Sequence, residues 1–462
     1  MQLNGLSLAI TNVLGGRLNP LSWFAAGEQG AWYDPSDLTT LFQDSAGTIP
    51  VTAVEQPVGL MKDKSGKSNH AFQATAGNRP TLSARVNTLL ATDGFSGGIL
   101  TPTNGLTLTG SGLLDPRGGF TAKKYTNSTN STQQRLYSGA TGTGSLTYSV
   151  EVLYVDARFI QLDLAGTSTG TSAVTFDLVN KTYSLVYTVA APTATITPLA
   201  NGYLRLSVIG YPETTAIQNI QLYVLEADPG AVTPTTTGTN KSVIVAGADL
   251  RPTNSGALLP PYQRVNTASD YDTVGFPLYL KANGTSSAMS TNSIDFTATD
   301  KMTVVTGVRK LSDVTGVILE ESPVTDGSHG GFIIHTTVSP ANGYTTGCSS
   351  SNSGVQFSGC TVTTFIAPVN NVVSVLYDLS KTLVADVVIP KVNGSTPTKS
   401  TVGTTPVIGT FNNYPFYLFA RAGTSLWFNG QFYGAIIRGA QSDTASLTQT
   451  ENYMATKTGI TF

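Results

Sequence analysis

Short stretches of alternating or continuous apolar residues run through most of the chain, separated by clusters of Gly, Thr, Asn and Pro. A period of two residues between turn-forming clusters predicts β-strands. Further stretches follow from residue 277 onward, and their spacing is typical of β-sandwiches. Within the middle third of the chain, six stretches are predicted as strands, at 145–155, 158–164, 173–179, 182–189, 203–210 and 220–227.

Helix signals occur together at one place, the C-terminal end. Asp443 or Ser442 can cap a helix that residues 445–457 carry and that Lys457 and Gly459 close. The pattern as a whole predicts an all-β protein with one short C-terminal helix.

Composition and charge argue against several classes of function. The chain has 462 residues, which predicts two or three domains, and 40% of them are hydrophobic, enough to bury cores. Only 12% are charged and the net charge is -2, with no cluster of basic residues, so we expect no nucleic-acid partner. No stretch of about 18 apolar residues predicts a membrane span, and the N-terminus lacks the positive region of a secretory signal. We therefore expect synthesis in the cytoplasm.

A recurring element suggests the domain organisation. The segment 79–87 reads RPTLSARVN, and the segment 251–266 reads RPTNSGALLPPYQRVN. We interpret the two segments as the ends of an insertion, because exposed loops tolerate inserted domains. This interpretation predicts a leader (1–28), a discontinuous sandwich (29–87 plus 251–462) and an inserted sandwich (88–250). Sequential domains with a chance repeat remain the alternative.

Two motifs resemble the opening and the closing of bacterial and phage domains with the laminin G-like, concanavalin A-like fold. The opening motif consists of Trp32, Asp34, Asp63, Lys64, Ser65, Gly66, Asn69, His70, Ala71, Arg79 and Pro80. The closing motif consists of Phe428, Asn429, Gly430, Tyr433, Ile436 to Ala440, Glu451, Lys457, Gly459 and Ile460. The inserted part is similar to carbohydrate-binding-module-like jelly rolls.

The combined arrangement resembles structural proteins of tailed bacteriophages and prophages, of the head spike or fibre type. The segments that carry this resemblance are GEQGAWYDPSDLTTLFQD (27–44), DKSGKSNHA (63–71), GADLRPTN (247–254) and YDTVGFPLYL (271–280). This resemblance implies a virion-surface location, contacts with other capsid or tail proteins, a homo-oligomer with a trimer favoured, and binding of host glycans without catalysis or a cofactor. A purely structural capsid cement protein is one alternative. A tail-spike glycan depolymerase is another, but it needs two carboxylates flanking the sugar bond. The pairs Glu226/Asp228 and Glu320/Glu321 do not supply them, because the first lies in a loop and adjacent strand residues face opposite sides.

Six aromatic residues near the C-terminus are candidates for glycan binding or for a subunit interface, with core packing as the alternative. They are Tyr414, Phe416, Tyr417, Phe419, Trp427 and Tyr433. Alternation places Tyr414 and Phe416 on one face and Tyr417 and Phe419 on the other. Cys348 and Cys360 allow either a disulfide or two free thiols, and with no His nearby they predict no metal site.

Overall fold

The computed structural model describes residues 20–462 with gaps at 94, 96–99, 130–132, 140–143, 167–169, 189–190, 214–216, 236–237, 254–258, 324–330, 338–340, 352–356 and 404. Most of the predicted leader therefore lies outside the described residues. The chain forms two compact units: Met1–Ala84 with Pro277–Phe462, called the split unit, and Arg85–Phe276, called the continuous unit. Residues 85–87 and 251–276, assigned from the sequence to the discontinuous sandwich, thus belong to the continuous unit.

Almost all regular structure in the described part of the chain is β-strand, which confirms the all-β prediction. The split unit begins with β1 (Gly30–Tyr33), β2 (Leu41–Phe42), β3 (Leu60–Met61), β4 (Ala71–Phe72) and β5 (Thr81–Ser83). The continuous unit contains β6 (Thr101–Pro102), β7 (Thr107–Gly110), β8 (Lys123–Thr126), β9 (Arg135–Gly139), β10 (Gly144–Tyr154), β11 (Phe159–Gly166), β12 (Thr171–Asp177), β13 (Thr182–Tyr187), β14 (Thr193–Pro198), β15 (Leu204–Glu213), β16 (Ile217–Leu225) and β17 (Ser242–Pro252).

The split unit resumes with β18 (Tyr279–Asn283), β19 (Met289–Asp295), β20 (Lys301–Lys310), β21 (Val317–Glu321), β22 (Phe332–Thr336), β23 (Tyr344–Cys348), β24 (Ser358–Val362), β25 (Val369–Asp378), β26 (Val388–Val392), β27 (Lys399–Val402), β28 (Asn413–Leu418) and β29 (Asn429–Arg438). Its α-helices are α1 (Val384–Val387) and α2 (Thr444–Thr458). Four 3-10 turns lie in the described segments, at Pro20–Trp23, Leu38–Thr40, Ala76–Asn78 and Ala200–Gly202.

Two sheets enclose the main core of the split unit. Over the described residues one sheet has the order β2-β3-β4-β19-β28-β21-β22-β23-β24-β27. The other has the order β26-β25-β20-β29-β18-β5, and β1 pairs with the C-terminal half of β29. Apolar side chains from both sheets form one buried cluster; Phe332 of the first sheet packs against Tyr377 of the second at 5.6 Å between ring centroids. We call the surface of a sheet that is turned away from this core its outer face.

Helix α2 covers the outer face of the second sheet through Leu447 and Met454. Asp443 caps its N-terminus by accepting a hydrogen bond from the Ser446 N–H, and Gly459 ends it with φ 70°. Both capping residues are the predicted ones, so the prediction of a C-terminal helix is confirmed. The one-turn α1 was not predicted. The sequence pattern places residues 384–387 in a strand, because four residues are too few to show a helical period.

The opening and closing motifs meet within the split unit. Asp34 accepts hydrogen bonds from Lys457 Nζ (2.8 Å), Lys64 Nζ (3.2 Å) and the Tyr453 hydroxyl (3.0 Å). Burial alone would raise the pKa of Asp34, but the charge of Lys457 and then that of Lys64 hold it at about 2. Asp34, Lys64 and Lys457 therefore have a structural role: their contacts fasten the residue after β1 to the terminal helix.

The continuous unit is a second sandwich. In the described residues its sheets have the orders β13-β12-β11-β16-β9-β6 and β14-β15-β10-β17-β8-β7, and a single apolar cluster lies between them. Strand β17 pairs with both β10 and β8 in the middle of its sheet. Beyond this strand, the Val265 N–H donates to the Thr92 hydroxyl (2.8 Å) and the Gln263 side chain accepts from the Val86 N–H (2.8 Å), which explains why the unit extends beyond the predicted boundary at residue 250.

The recurring Arg-Val-Asn element lies at both ends of the continuous unit, but its two copies differ in environment. The Asn87 side chain donates to the carbonyls of Ala248 (3.0 Å) and Gln263 (2.9 Å) and accepts from the Leu250 N–H (3.0 Å). Asn87 is fully buried, whereas Asn266, at the same place in the second copy, is exposed. The first copy thus fastens the chain entering the unit to the chain leaving it.

Candidate functional site

The outer face of the ten-stranded sheet carries an unusual group of polar side chains. Glu320 on β21 lies opposite Tyr417 on β28 and Ile333 on β22. The next residue, Glu321, lies opposite Phe416, a core residue. As the alternation of a strand predicts, Glu321 faces the core and Glu320 faces outward.

One oxygen of the Glu320 carboxyl is held by the protein. Its Oε1 accepts hydrogen bonds from the Ala422 N–H (2.6 Å) and from the Ser322 hydroxyl (3.1 Å). Burial raises the pKa of Glu320, although the Ala422 N–H and Arg421 oppose the shift. These bonds fix the orientation of the carboxyl group.

The other oxygen of Glu320 faces Arg421. Glu320 Oε2 and Arg421 Nε are 3.7 Å apart, beyond ordinary hydrogen-bond distance, and neither atom has another hydrogen-bond partner. The Glu320 side chain is 0% exposed and that of Arg421 is 35% exposed, although the Arg421 Nε that faces Glu320 is itself buried. An unused acceptor and an unused donor therefore lie next to each other, both shielded from solvent, while other atoms of the Arg421 side chain are exposed.

His335 on β22 adds a neutral ring to this face. Its Nδ1 lies 2.9 Å from the carbonyl of Thr336, so this nitrogen carries the proton and Nε2 is an acceptor. Burial lowers the pKa of His335, and the charge of Arg421 lowers it further. Further along the same face, the hydroxyls of Thr345 and Thr361 lie 2.7 Å apart. The face thus offers a carboxyl, a guanidinium, an imidazole and hydroxyls.

The six predicted aromatic residues are divided by the structure. Phe416, Phe419 and Tyr433 are buried and pack on other rings, at 5.6 Å from Phe296, 5.3 Å from Phe432 and 5.4 Å from Tyr279. Their burial favours the core-packing alternative for these three residues. Strand β28 lies between β19 and β21 inside the sheet, so one of its faces joins the core.

The other three aromatic residues have different surroundings. Tyr417 is 7% exposed and lies on the outer face beside Glu320, whose charge adds to burial in raising the pKa of the phenol. Tyr414 and Trp427 are partly exposed. Trp427 forms a bridge to Val317 at the start of β21, so it borders the same face. Glu320, Arg421 and His335 were missed as site residues, because nothing in their sequence spacing marks them as neighbours.

The carboxylate pairs considered from the sequence do not form a glycosidase site. Glu320 and Glu321 point to opposite faces and cannot flank one sugar bond. Glu226 accepts from the N–H and hydroxyl of Thr239, and Asp228 accepts from the Ser184 hydroxyl, so both hold loops.

Cys348 and Cys360 are free thiols buried in the core of the split unit. Burial raises the pKa of both. Across the described segments, no three His, Cys, Asp or Glu side chains are grouped closely enough to hold a metal ion. The helices of those segments are all too short or too polar to cross a bilayer.

Comparisons with known proteins give distant matches to solved structures, at TM-scores below 0.3. No protein-family model and no curated protein sequence matches the chain. Among solved structures, the carbohydrate-binding module CBM40 of the Ruminococcus gnavus IT-sialidase is 16% identical and covers 35% of this chain and 97% of its own, with a TM-score of 0.24. Domains LG4-5 of the mouse laminin α1 chain are 11% identical over 76% of this chain and 94% of their own, with a TM-score of 0.25. Trypanosoma rangeli sialidase is 9% identical over 74% of this chain and 61% of its own, with a TM-score of 0.28. The all-β sandwich class rests on the strands and sheets of the described residues themselves, and nothing is transferred from these structures.

Proposed function

We propose that this chain is a non-enzymatic surface protein of a tailed-phage particle, a spike, decoration or fibre component, and that it binds host glycans on the outer face of the ten-stranded sheet. The phage assignment rests on the sequence motifs described above. The glycan assignment rests on one observation, the 3.7 Å separation between Glu320 Oε2 and Arg421 Nε, neither of which has a hydrogen-bond partner.

A hydroxyl group is the ligand group that fits this pair best. It can accept a hydrogen bond from the guanidinium and donate one to the carboxylate at the same time. A ligand carboxylate would be repelled by Glu320, and a ligand ammonium would be repelled by Arg421. Sugars present many hydroxyls, and their apolar ring faces match the partly exposed ring of Trp427 beside β21.

A glycan array tests the binding proposal. Glu320→Gln replaces the free acceptor with an amide, and because a hydrogen bond to a charged group contributes about 1.5–3 kcal/mol, we expect an affinity loss of about 10- to 100-fold. The matched control is Glu321→Gln, which changes the neighbouring carboxyl on the opposite face and is expected to leave affinity unchanged. An equal loss in both variants would contradict the assignment. Absence of any glycan ligand would favour the cement protein, and release of reducing ends would favour the depolymerase.

The particle assignment needs its own experiment. Immunogold electron microscopy of purified phage, with antibody to residues 119–227, is expected to place gold on the capsid or on the tail. No gold on intact particles would contradict an exposed virion protein. Light scattering of the purified chain tests the proposed homo-oligomer, for which a trimer is expected.

A further inference from the structure

A second polar face lies in the continuous unit. On β11, Ile160, Leu162 and Leu164 point into the core, so the alternate residues Gln161 and Asp163 point to the outer face. The register brings Thr175 of β12 and Tyr223 of β16 beside Gln161, and Gln221 of β16 beside Asp163. All five polar side chains are buried, although they face away from the core.

Hydrogen bonds connect most of these polar groups, with one exception. The Thr175 hydroxyl donates to Gln161 Oε1 (3.0 Å), and Gln161 Nε2 donates to Asp163 Oδ1 (2.9 Å). The Tyr223 hydroxyl donates to Gln221 Oε1 (2.5 Å). Asp163 Oδ2 is buried without a partner, and burial raises the pKa of this carboxyl well above its usual range. Burying an acceptor without a hydrogen bond lowers the stability of the fold, so an unpaired buried oxygen calls for an explanation.

A loop without regular structure lies across this face. The segment 228–235, which we call the strap, contacts Gln161 through the carbonyl of Val232, 3.4 Å from Gln161 Nε2. At its start the Ser184 hydroxyl of edge strand β13 donates to Asp228 Oδ2 (2.6 Å). This hydrogen bond is exposed, and exposed polar contacts of this kind contribute little to stability.

We propose that the strap closes a second binding site, and that its release lets a polyhydroxylated ligand reach Asp163 and Gln221. Asp163 Oδ2 would exchange a hydrogen bond with a ligand hydroxyl, which can act as donor or acceptor. The Gln221 amide already accepts from the Tyr223 hydroxyl and from Arg135 Nη1 (2.7 Å) and donates to Asn219, so it would bind a ligand only by exchanging these partners. A hydroxyl group suits the unpaired Asp163 oxygen, and Arg135 is already engaged by Gln221 and Tyr223, so the ligand class that we propose is a neutral carbohydrate. The site lies in the continuous unit, and its existence does not depend on the site around Glu320.

The test uses the full chain in the Glu320→Gln background, which silences the first site, with an array of neutral oligosaccharides as the probe. Ser184→Ala removes the hydrogen bond that holds Asp228, and we expect it to raise apparent affinity for at least one glycan by threefold or more. Adding Asp163→Asn is expected to abolish that gain. The control is Thr182→Ala, an exposed change on the same strand that does not touch the strap in the described contacts.

Hydrogen exchange separates the possible outcomes. In Ser184→Ala, peptides covering 228–235 are expected to exchange faster while β11 stays protected. Unchanged exchange of the strap would overturn the proposal, as would glycan binding that Asp163→Asn leaves intact. If no glycan binds and Asp163→Asn merely stabilises the fold, the carboxyl is a packing defect and the proposal fails. Failure here leaves the Glu320 site untouched, because that site is tested against Glu321→Gln.

Discussion

The buried carboxyl of Glu321 makes the stability of the split unit depend on pH. Glu321 is 0% exposed, it lies opposite Phe416 at the core, and neither of its oxygens has a hydrogen-bond partner. Desolvation by burial raises its pKa well above the usual value of 4.5. In the folded protein the group therefore keeps its proton at a pH where the unfolded chain has lost it.

The sign follows from proton linkage. The pKa of Glu321 is higher in the folded state than in the unfolded state. The stability that this group contributes is therefore fully present below pH 4.5 and is lost as pH rises through the folded-state pKa. Between those limits the free energy of unfolding falls by about 1.36 kcal/mol per pH unit. From pH 5 to pH 7, two such units give a loss of about 2.7 kcal/mol for as long as pH stays below the folded-state pKa.

The assay compares wild type with Glu321→Gln in denaturant titrations from pH 5 to pH 7. Trp23, Trp32 and Trp427 are the only tryptophans of the chain, and all lie in the split unit, so their fluorescence reports its unfolding. The difference in unfolding free energy between the two proteins is expected to change by about 2.7 kcal/mol over this range.

Two further variants sharpen the comparison. Glu321→Leu removes the unpaired polar group and is expected to raise stability at pH 7 by about 1–3 kcal/mol. Glu320→Gln, on the opposite face, is expected to change the pH dependence of the unfolding free energy less than Glu321→Gln does. The reason is that the Ala422 N–H and the Ser322 hydroxyl donate hydrogen bonds to the Glu320 carboxyl. If Glu321→Gln leaves the wild-type slope of unfolding free energy against pH unchanged, the reasoning is refuted.

Three other predictions concern stability and reactivity. Asn87→Ala removes four buried hydrogen bonds and is expected to cost about 4 kcal/mol, seen as faster hydrogen exchange in β17, while Asn266→Ala at the exposed copy of the element should have no effect. Asp34→Ala leaves Lys64 and Lys457 without their buried partner and is expected to cost about 3–5 kcal/mol by tryptophan fluorescence; a loss below 1 kcal/mol would contradict its structural role. Cys348 and Cys360 should resist iodoacetamide until the split unit unfolds, because burial raises the pKa of both thiols, and labelling of the native protein would contradict their placement in the core.

The terminal helix and most strands could be predicted from the sequence because their signals are local. Asp443 and Gly459 act on the backbone within a few residues, so their effect is visible in a short window. A period of two residues likewise identifies a strand and, within it, the opposite directions of Glu320 and Glu321. Such signals do not depend on what lies across the sheet.

Strand order and burial could not be predicted, because they depend on residues far apart in the chain. The aromatic strand β28 could have been an edge strand; its place between β19 and β21 buries Phe416. Strand β17, separated from the preceding strands of its unit by a loop, completes the sheet between β10 and β8. The continuous unit extends to Phe276 because Tyr262 and Val265 hydrogen-bond to Thr92, 170 or more positions earlier in the chain.

By itself, the sequence determined that the chain is all-β with a capped C-terminal helix, and that an element recurs at the two ends of its middle part. Only the tertiary structure decided that Asn87 is buried while Asn266 is exposed, and that Arg421 lies 3.7 Å from Glu320, about 100 positions away in the chain. The physical reason is that alternation fixes the side to which a residue points, whereas the neighbours it finds there are set by the pairing of distant strands.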